Sequence, residues 1–187
     1  MNTRGLIVLA ALAASTAAPA LQVEGVRIDD KASVAGQDLV LNGAGVRKRA
    51  IFKVYVGSLY LPAKARTIDD VLARSPRRIQ LNLLRNLSAD QLIDALVDGL
   101  KQNLSAAEMQ AVAVQTGELA AIMKSFGAAK EGSVVTLDFV DGTTTVGLDG
   151  TVRGSISGAA FADALTRIWI GEHPAQDDLK KAMLGGA

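Results

Sequence analysis

The chain has 187 residues, no cysteine, 20 Lys+Arg and 19 Asp+Glu. That length suits one domain whose core needs no staple, and the missing thiols exclude thiolate metal sites, thiol nucleophiles and a disulfide framework. A formal charge of +1 with 4% aromatic residues excludes a general nucleic-acid binder, and 49% hydrophobic residues exclude wholesale disorder.

Residues 1–20 read as a secretory signal peptide. Arg4 is their only charge, Leu6 to Ala14 is an apolar and small-residue run, and Ala18-Pro19-Ala20 offers a cleavage site. The run is too short for a stable bilayer span, although an uncleaved N-terminal anchor is the alternative. No cysteine is present for lipid attachment. Cleavage after Ala20 leaves a neutral chain, residues 21–187, expected in the periplasm or outside the cell with no stable membrane anchor.

Strands come first in that chain. Val23, Val26 and Ile28 precede polar Asp29-Asp30-Lys31, and Leu39-Val40-Leu41 is a short β-rich run before Asn42-Gly43. Ile51 to Leu61 is the longest strand-like stretch and stops at Pro62. Thr67 to Asp70 opens a short helix, and Arg78 to Leu84 reads as another strand. Ser88-Ala-Asp-Gln91 is a capping box for a helix from Leu92 to Leu104, with Leu92, Leu96 and Leu100 on one face. Ser105-Ala-Ala-Glu108 is a second box, predicting one helix towards Phe126 that stops at Gly127. Ser133 to Phe139, Thr143 to Leu148 and Thr151 to Ile156 form a meander turning at Asp141-Gly142 and Asp149-Gly150. Ala159 to Ile170 is helical and ends at Gly171, and Pro174 is expected to start a last helix through Leu184. The order strands, helices, strands, helices predicts an α+β fold, with helices on one face of a mainly antiparallel sheet.

The familiar chemistry motifs are missing. Gly43-Ala-Gly45 is followed by Lys48 where a dinucleotide fingerprint needs glycine, and Gly127-x4-Gly132 lacks the lysine of a phosphate loop. Gly154-Ser-Ile-Ser-Gly158 puts Ile156 where a nucleophile elbow needs serine. The single histidine, His173, cannot build a multi-histidine metal site and has no second cue for a triad. No metal and no cofactor are expected. Asn86-Leu-Ser88 and Asn103-Leu-Ser105 match glycosylation sequons, but helix capping accounts for both serines.

Charge is unevenly placed. Residues 42–86 hold ten bases and two acids, whereas residues 87–187 hold seven bases and thirteen acids. This pattern suits either a solvated sheet edge facing an acidic helical layer or a site for a small anion beside the strands.

Gly45-Val-Arg47, the strand Lys53 to Leu61 and Ile168-Trp-Ile-Gly-Glu-His-Pro174 together resemble the chalcone isomerase-like family, over nearly the whole chain after residue 20. The likeness is to exported bacterial members in particular. It implies an open-faced β-sandwich: a large antiparallel sheet, a helical layer on one face and a small strand pair on the other. It also implies one of two activities. Plant chalcone isomerases cyclise a chalcone without a cofactor, using an arginine to hold an ionised phenol. Fatty-acid-binding members hold a carboxylate with an arginine and a tyrosine. Arg47 matches the family arginine, and Tyr55 resembles the tyrosine of the fatty-acid binders. Tyr60 should face away from Tyr55 and be core. The plant enzymes carry a tyrosine and an asparagine where Leu92 and Gly99 align, and a threonine or serine at Ile168.

Three readings follow. The first is a non-catalytic binder of a small amphipathic anion such as a fatty acid, with Arg47 and Tyr55 as ligand-binding residues. The second is an isomerase or intramolecular lyase acting on a phenolic or enone compound, with Arg47 as its catalytic residue. The third is a structural or protein-interaction role in which Arg47 braces the sheet.

Overall fold

The computed structural model describes residues 21–186, so the expected signal segment lies outside the described residues. Strands β1 (Leu21–Val23) and β2 (Val26–Ile28) form a separate hairpin. Strands β3 (Lys31–Val34), β4 (Gln37–Arg49), β5 (Phe52–Leu61) and β6 (Arg77–Leu83) belong to the main sheet. Helix α1 (Ile68–Leu72), capped by the Thr67 hydroxyl, sits between β5 and β6. Short β7 (Leu87–Ser88) leads into α2 (Ala89–Asn103), followed by α3 (Ala106–Ala111), α4 (Ala113–Lys124) and β8 (Ala128–Ala129), which pairs with β7. The meander β9 (Val134–Val140), β10 (Thr143–Leu148) and β11 (Thr151–Ser157) completes the sheet, and α5 (Ala159–Ile170) and α6 (Asp177–Met183) end the chain.

The main sheet has seven strands in the order β11-β10-β9-β6-β5-β4-β3, and every neighbouring pair is antiparallel. One face carries the helices. Leu59, Leu61, Ile79, Leu81, Leu83, Val135 and Leu137 meet Leu96, Leu100, Leu119, Leu165 and Trp169 there in one apolar layer. On the opposite face Ile28 of the small hairpin joins Val34, Leu39, Leu41, Val56 and Tyr60 of β3 to β5 in a second cluster. This is the α+β open-faced arrangement expected, and its alternating burial along β6 and β9 follows from the period of two.

Both capping boxes form, with Ser88 and Gln91, and Ser105 and Glu108, satisfying each other's backbone N–H groups. Asp141-Gly142 and Asp149-Gly150 each hold two successive positive φ angles, as tight hairpins demand.

Three boundaries differ from expectation. The short run at Leu39–Leu41 continues to Arg49, because Asn42 does not turn the chain. It sits in a β-bulge between Leu41 and Gly43, and its buried amide accepts from Ala65 N–H (2.8 Å) and donates to the Ala65 and Met183 carbonyls (2.9 and 2.7 Å). The helix from Ser105 breaks at Val112, which is buried whereas α3 buries no residue, and the bend lays Leu119 and Met123 on the core. The last helix starts at Asp177 instead of Pro174. Ala175 N–H is tied to the Ile168 carbonyl (2.7 Å) and Gln176 is extended, so residues 174–176 cross from α5 to β4 before the helix can begin.

Asn42 thus joins β4, the loop before α1 and the end of α6. Asn42→Ala strands buried partners at 65 and 183, and should lower unfolding free energy by about 2–4 kcal/mol in urea titration. A loss below about 0.5 kcal/mol would show that these partners find other bonds.

Candidate functional site

Arg47 and Tyr55 are direct cross-strand partners on β4 and β5, so they share one face of the sheet. Tyr55 packs against the helix-side core, which fixes that face as the one under the helices. Tyr60, an odd number of residues further on, belongs to the other cluster. It is buried there and donates its hydroxyl to the Asp29 carbonyl at 3.0 Å. The tyrosines therefore separate as expected, one toward the helices and one into the opposite core.

The Tyr55 hydroxyl oxygen accepts a hydrogen bond from Trp169 Nε1 of α5 at 2.9 Å. The ring keeps some exposure, while the hydroxyl end is enclosed. Burial pushes the phenol above its ordinary value, and the Trp169 hydrogen bond and the nearby Arg47 charge pull in the opposite direction. Arg47 acts on that oxygen mainly through its charge, whereas the well-formed bond comes from Trp169. The phenol keeps its own proton, a donor that can serve an oxyanion.

Arg47 is half-buried, and among the described residues no carboxylate lies within ion-pair distance of it. Its Nη1 bonds the Lys48 carbonyl and reaches Gln176 Oε1 at 3.5 Å. Gln176 also accepts from Lys48 N–H at 2.8 Å and donates to the Val46 carbonyl at 3.3 Å. The segment before α6 is thereby pinned over the end of β4.

Glycines explain how α6 comes so close. Gly43, Gly45 and Gly57 lie on the same face as Arg47, and a Cβ on Gly43 would meet the Ala182 carbonyl oxygen at 2.0 Å. On Gly45 it would meet the Ala182 Cβ at 2.7 Å, and on Gly57 the Leu179 Cδ1 at 3.4 Å. The three form a shallow trough that runs to Arg47 and Tyr55 and is filled by Leu179, Ala182 and Met183.

Two other bases of residues 42–86 are held within the fold. Arg77 is 5% exposed, donates to Asp163 (2.6 Å) and Thr166 (3.2 Å), and lies over the Phe139 ring. Arg78 makes a two-point pair with Asp138. His173 lies in an exposed loop whose backbone is held by Asn103 (2.7 and 3.2 Å). Among the described residues, no three His, Cys, Asp or Glu side chains converge as a metal site would need. The positions aligned with the plant enzymes' polar groups are packed contacts. Leu92 is core, and Ile168 lies so near Gly99 that a Cβ there would meet its Cγ2 at 2.7 Å. Two open clefts lie elsewhere. One, of about 510 Å³, runs between α4 and β11, and one, of about 180 Å³, sits between α1 and the start of α5.

Arg47 and Tyr55, singled out in the sequence, are brought together by the register, and beside them stand Trp169 and Gln176, which the sequence did not single out. The one signal for Trp169 was chemical: a lone indole on an apolar helix face needs an acceptor for its N–H. Gln176 had none, since its role depends on where the extended segment crosses β4.

Trp169 is the only tryptophan, so its fluorescence reports this site directly. Tyr55→Phe leaves the indole N–H without its acceptor and should cost about 1–3 kcal/mol, with a shift in emission maximum. An unchanged spectrum and melting curve would show that the bond carries no weight. The Tyr60 phenol, buried and near Asp29, is pushed up to about 12. Its folded pKa is raised, so its contribution is full below the unfolded value of 10.0 and is lost as pH climbs through about 12. Tyr60→Phe should flatten the fall in stability across that alkaline window.

The family model described as chalcone isomerase-like matches residues 20–185. Comparison with curated protein sequences gives no match. Among solved structures, a fatty-acid binding protein of Arabidopsis thaliana superposes with a TM-score of 0.65 at 14% identity, over 86% of this chain and 92% of that one. That likeness is one of fold. With the family matched over nearly all of the described residues, the chain belongs to the chalcone isomerase-like family.

Proposed function

We propose that the protein is a non-catalytic binder of a small amphipathic anion such as a fatty acid, in a periplasmic or secreted setting. The observation that carries this is the convergence of Arg47, without a carboxylate partner among the described residues, and the enclosed Tyr55 hydroxyl at one end of an apolar layer. A guanidinium binds a carboxylate by two parallel hydrogen bonds, and the phenol proton supplies a third. The acyl chain would take the trough over Gly43, Gly45 and Gly57, displacing Leu179, Ala182 and Met183 of α6. A solved structure of similar fold is that of a fatty-acid binding protein, which supports this reading.

The cyclising activity finds less support. Arg47 can stabilise a phenolate, but Leu92, Gly99 and Ile168 offer no polar group to orient an enone. The structural reading has a specific observation behind it: Arg47 bonds the Lys48 carbonyl and approaches Gln176, bracing β4 to the segment before α6.

Titration of delipidated protein with a long-chain fatty acid, followed by Trp169 emission, separates these readings. Wild type should bind with a Kd near or below about 10 μM, and Arg47→Ala should weaken it by at least about tenfold. Equal affinity with lowered stability in Arg47→Ala would leave only the bracing role. Chalcone decay faster with wild type than with Arg47→Ala would establish the isomerase instead.

A further inference from the structure

The turn from β4 to β5 differs from the other tight hairpins of the chain. Those turns are Glu24-Gly25, Ala35-Gly36, Asp141-Gly142 and Asp149-Gly150, each with two positive φ angles. Between β4 and β5, Arg49 pairs with Phe52 and the turn is Ala50-Ile51, with Ala50 at φ 52° and no glycine. Ile51 is 87% exposed and Phe52 55% exposed. Neither belongs to either apolar cluster, so folding gains little from them.

The tip also projects beyond its neighbours. β3 pairs with β4 only as far as Val40, and the β6 ladder on β5 begins at Tyr55. Exposed Lys48, Arg49, Lys53 and Arg85 surround the two apolar side chains, and the Arg85 guanidinium lies 4.8 Å from the Phe52 ring centroid. Lys48 and Lys53 stand directly opposite each other, a like-charge pair that weakens the hairpin. Glu24 pairs with Lys53, but among the described residues no carboxylate is within ion-pair distance of Lys48, Arg49 or Arg85.

We propose that this tip docks the protein on an anionic lipid surface. Ile51 and Phe52 enter the boundary between headgroups and acyl chains, while Lys48, Arg49 and Arg85, which have no carboxylate partner among the described residues, meet the headgroups. Apolar insertion and basic attraction are the two signals that reversible membrane binding combines. A protein partner fits less well, because a stable interface buries about 800 Å² per side and a convex hairpin tip offers far less. The proposal stands apart from ligand binding at Arg47. If both hold, docking would place the Arg47–Tyr55 pair beside the membrane boundary.

Vesicle flotation tests this with protein beginning at Leu21, which carries every element of the described fold. Vesicles of phosphatidylcholine alone are compared with vesicles containing about 30% phosphatidylglycerol. Wild type should bind the anionic vesicles at least about tenfold more strongly, and about 0.5 M salt should release most of it. The double variant Ile51→Ser with Phe52→Ser should lose about tenfold or more of that binding with an unchanged melting curve, since both residues are exposed. Equal binding to both vesicle types, or binding that survives the double variant, overturns the proposal. So does absence of vesicle binding, including the case in which the tip cross-links to an acidic protein instead.

Discussion

Strand β4 lies against β5 in a register that sets Arg47 opposite Tyr55, Gly45 opposite Gly57 and Lys48 opposite Lys53. A slip of one residue would turn Tyr55 away from Trp169 and present side chains to α6 where glycines now lie. Two irregularities hold this register. The bulge at Asn42 is locked by three hydrogen bonds to the loop before α1 and the end of α6. The second, after Arg47, restarts the pairing for the tip. The helical layer, the candidate site and the projecting tip therefore all depend on how two adjacent strands align.

The same alignment divides the basic charge of residues 42–86. On β6, Arg77 and Arg78 point to opposite faces, and each finds a carboxylate from the later, more acidic part of the chain, Asp163 and Asp138. Those bases hold the fold. Near the tip Lys53 keeps Glu24, whereas Arg47, Lys48, Arg49 and Arg85 there, and Lys64, Arg66 and Arg74 between β5 and β6, have no carboxylate partner among the described residues. The basic stretch is thus neither wholly a solvated edge nor wholly an anion site. It is neutralised on β6, and left largely positive in the connection before β6 and at the β4–β5 tip.

Legibility followed the range of the forces involved. Helix starts were readable because a cap is a local hydrogen-bond exchange, as at Ser88 and Ser105. The opposite facing of Tyr55 and Tyr60 was readable because strand period is local too. The hairpin at Ala50-Ile51 was not, since neither residue favours a turn, and the strand boundary fell at Asn42-Gly43 instead. Asn42 looks like turn chemistry in sequence, and only its partners at 65 and 183 reveal it as a clamp. The Trp169 to Tyr55 bond joins residues 114 apart, and no local pattern encodes that pairing.

The close seating of α6 bears on what kind of ligand the proposed site would accept. Leu179 and Met183 are fully buried, and burial of two such side chains is worth about 3–6 kcal/mol. The bonds from Asn42, Gln176 and Lys180 to neighbouring backbone add about 1 kcal/mol each. Lifting the helix off the trough therefore costs roughly 6–9 kcal/mol. A carboxylate meeting Arg47 supplies only about 1.5–3 kcal/mol, so a short acid cannot open the site. Each buried methylene returns about 0.8 kcal/mol, and a chain of about ten or more offsets the whole cost. Under the proposed reading, α6 then acts as a length filter: the arginine recognises the head group, and the work of displacing Leu179 and Met183 excludes every acid too short to replace them.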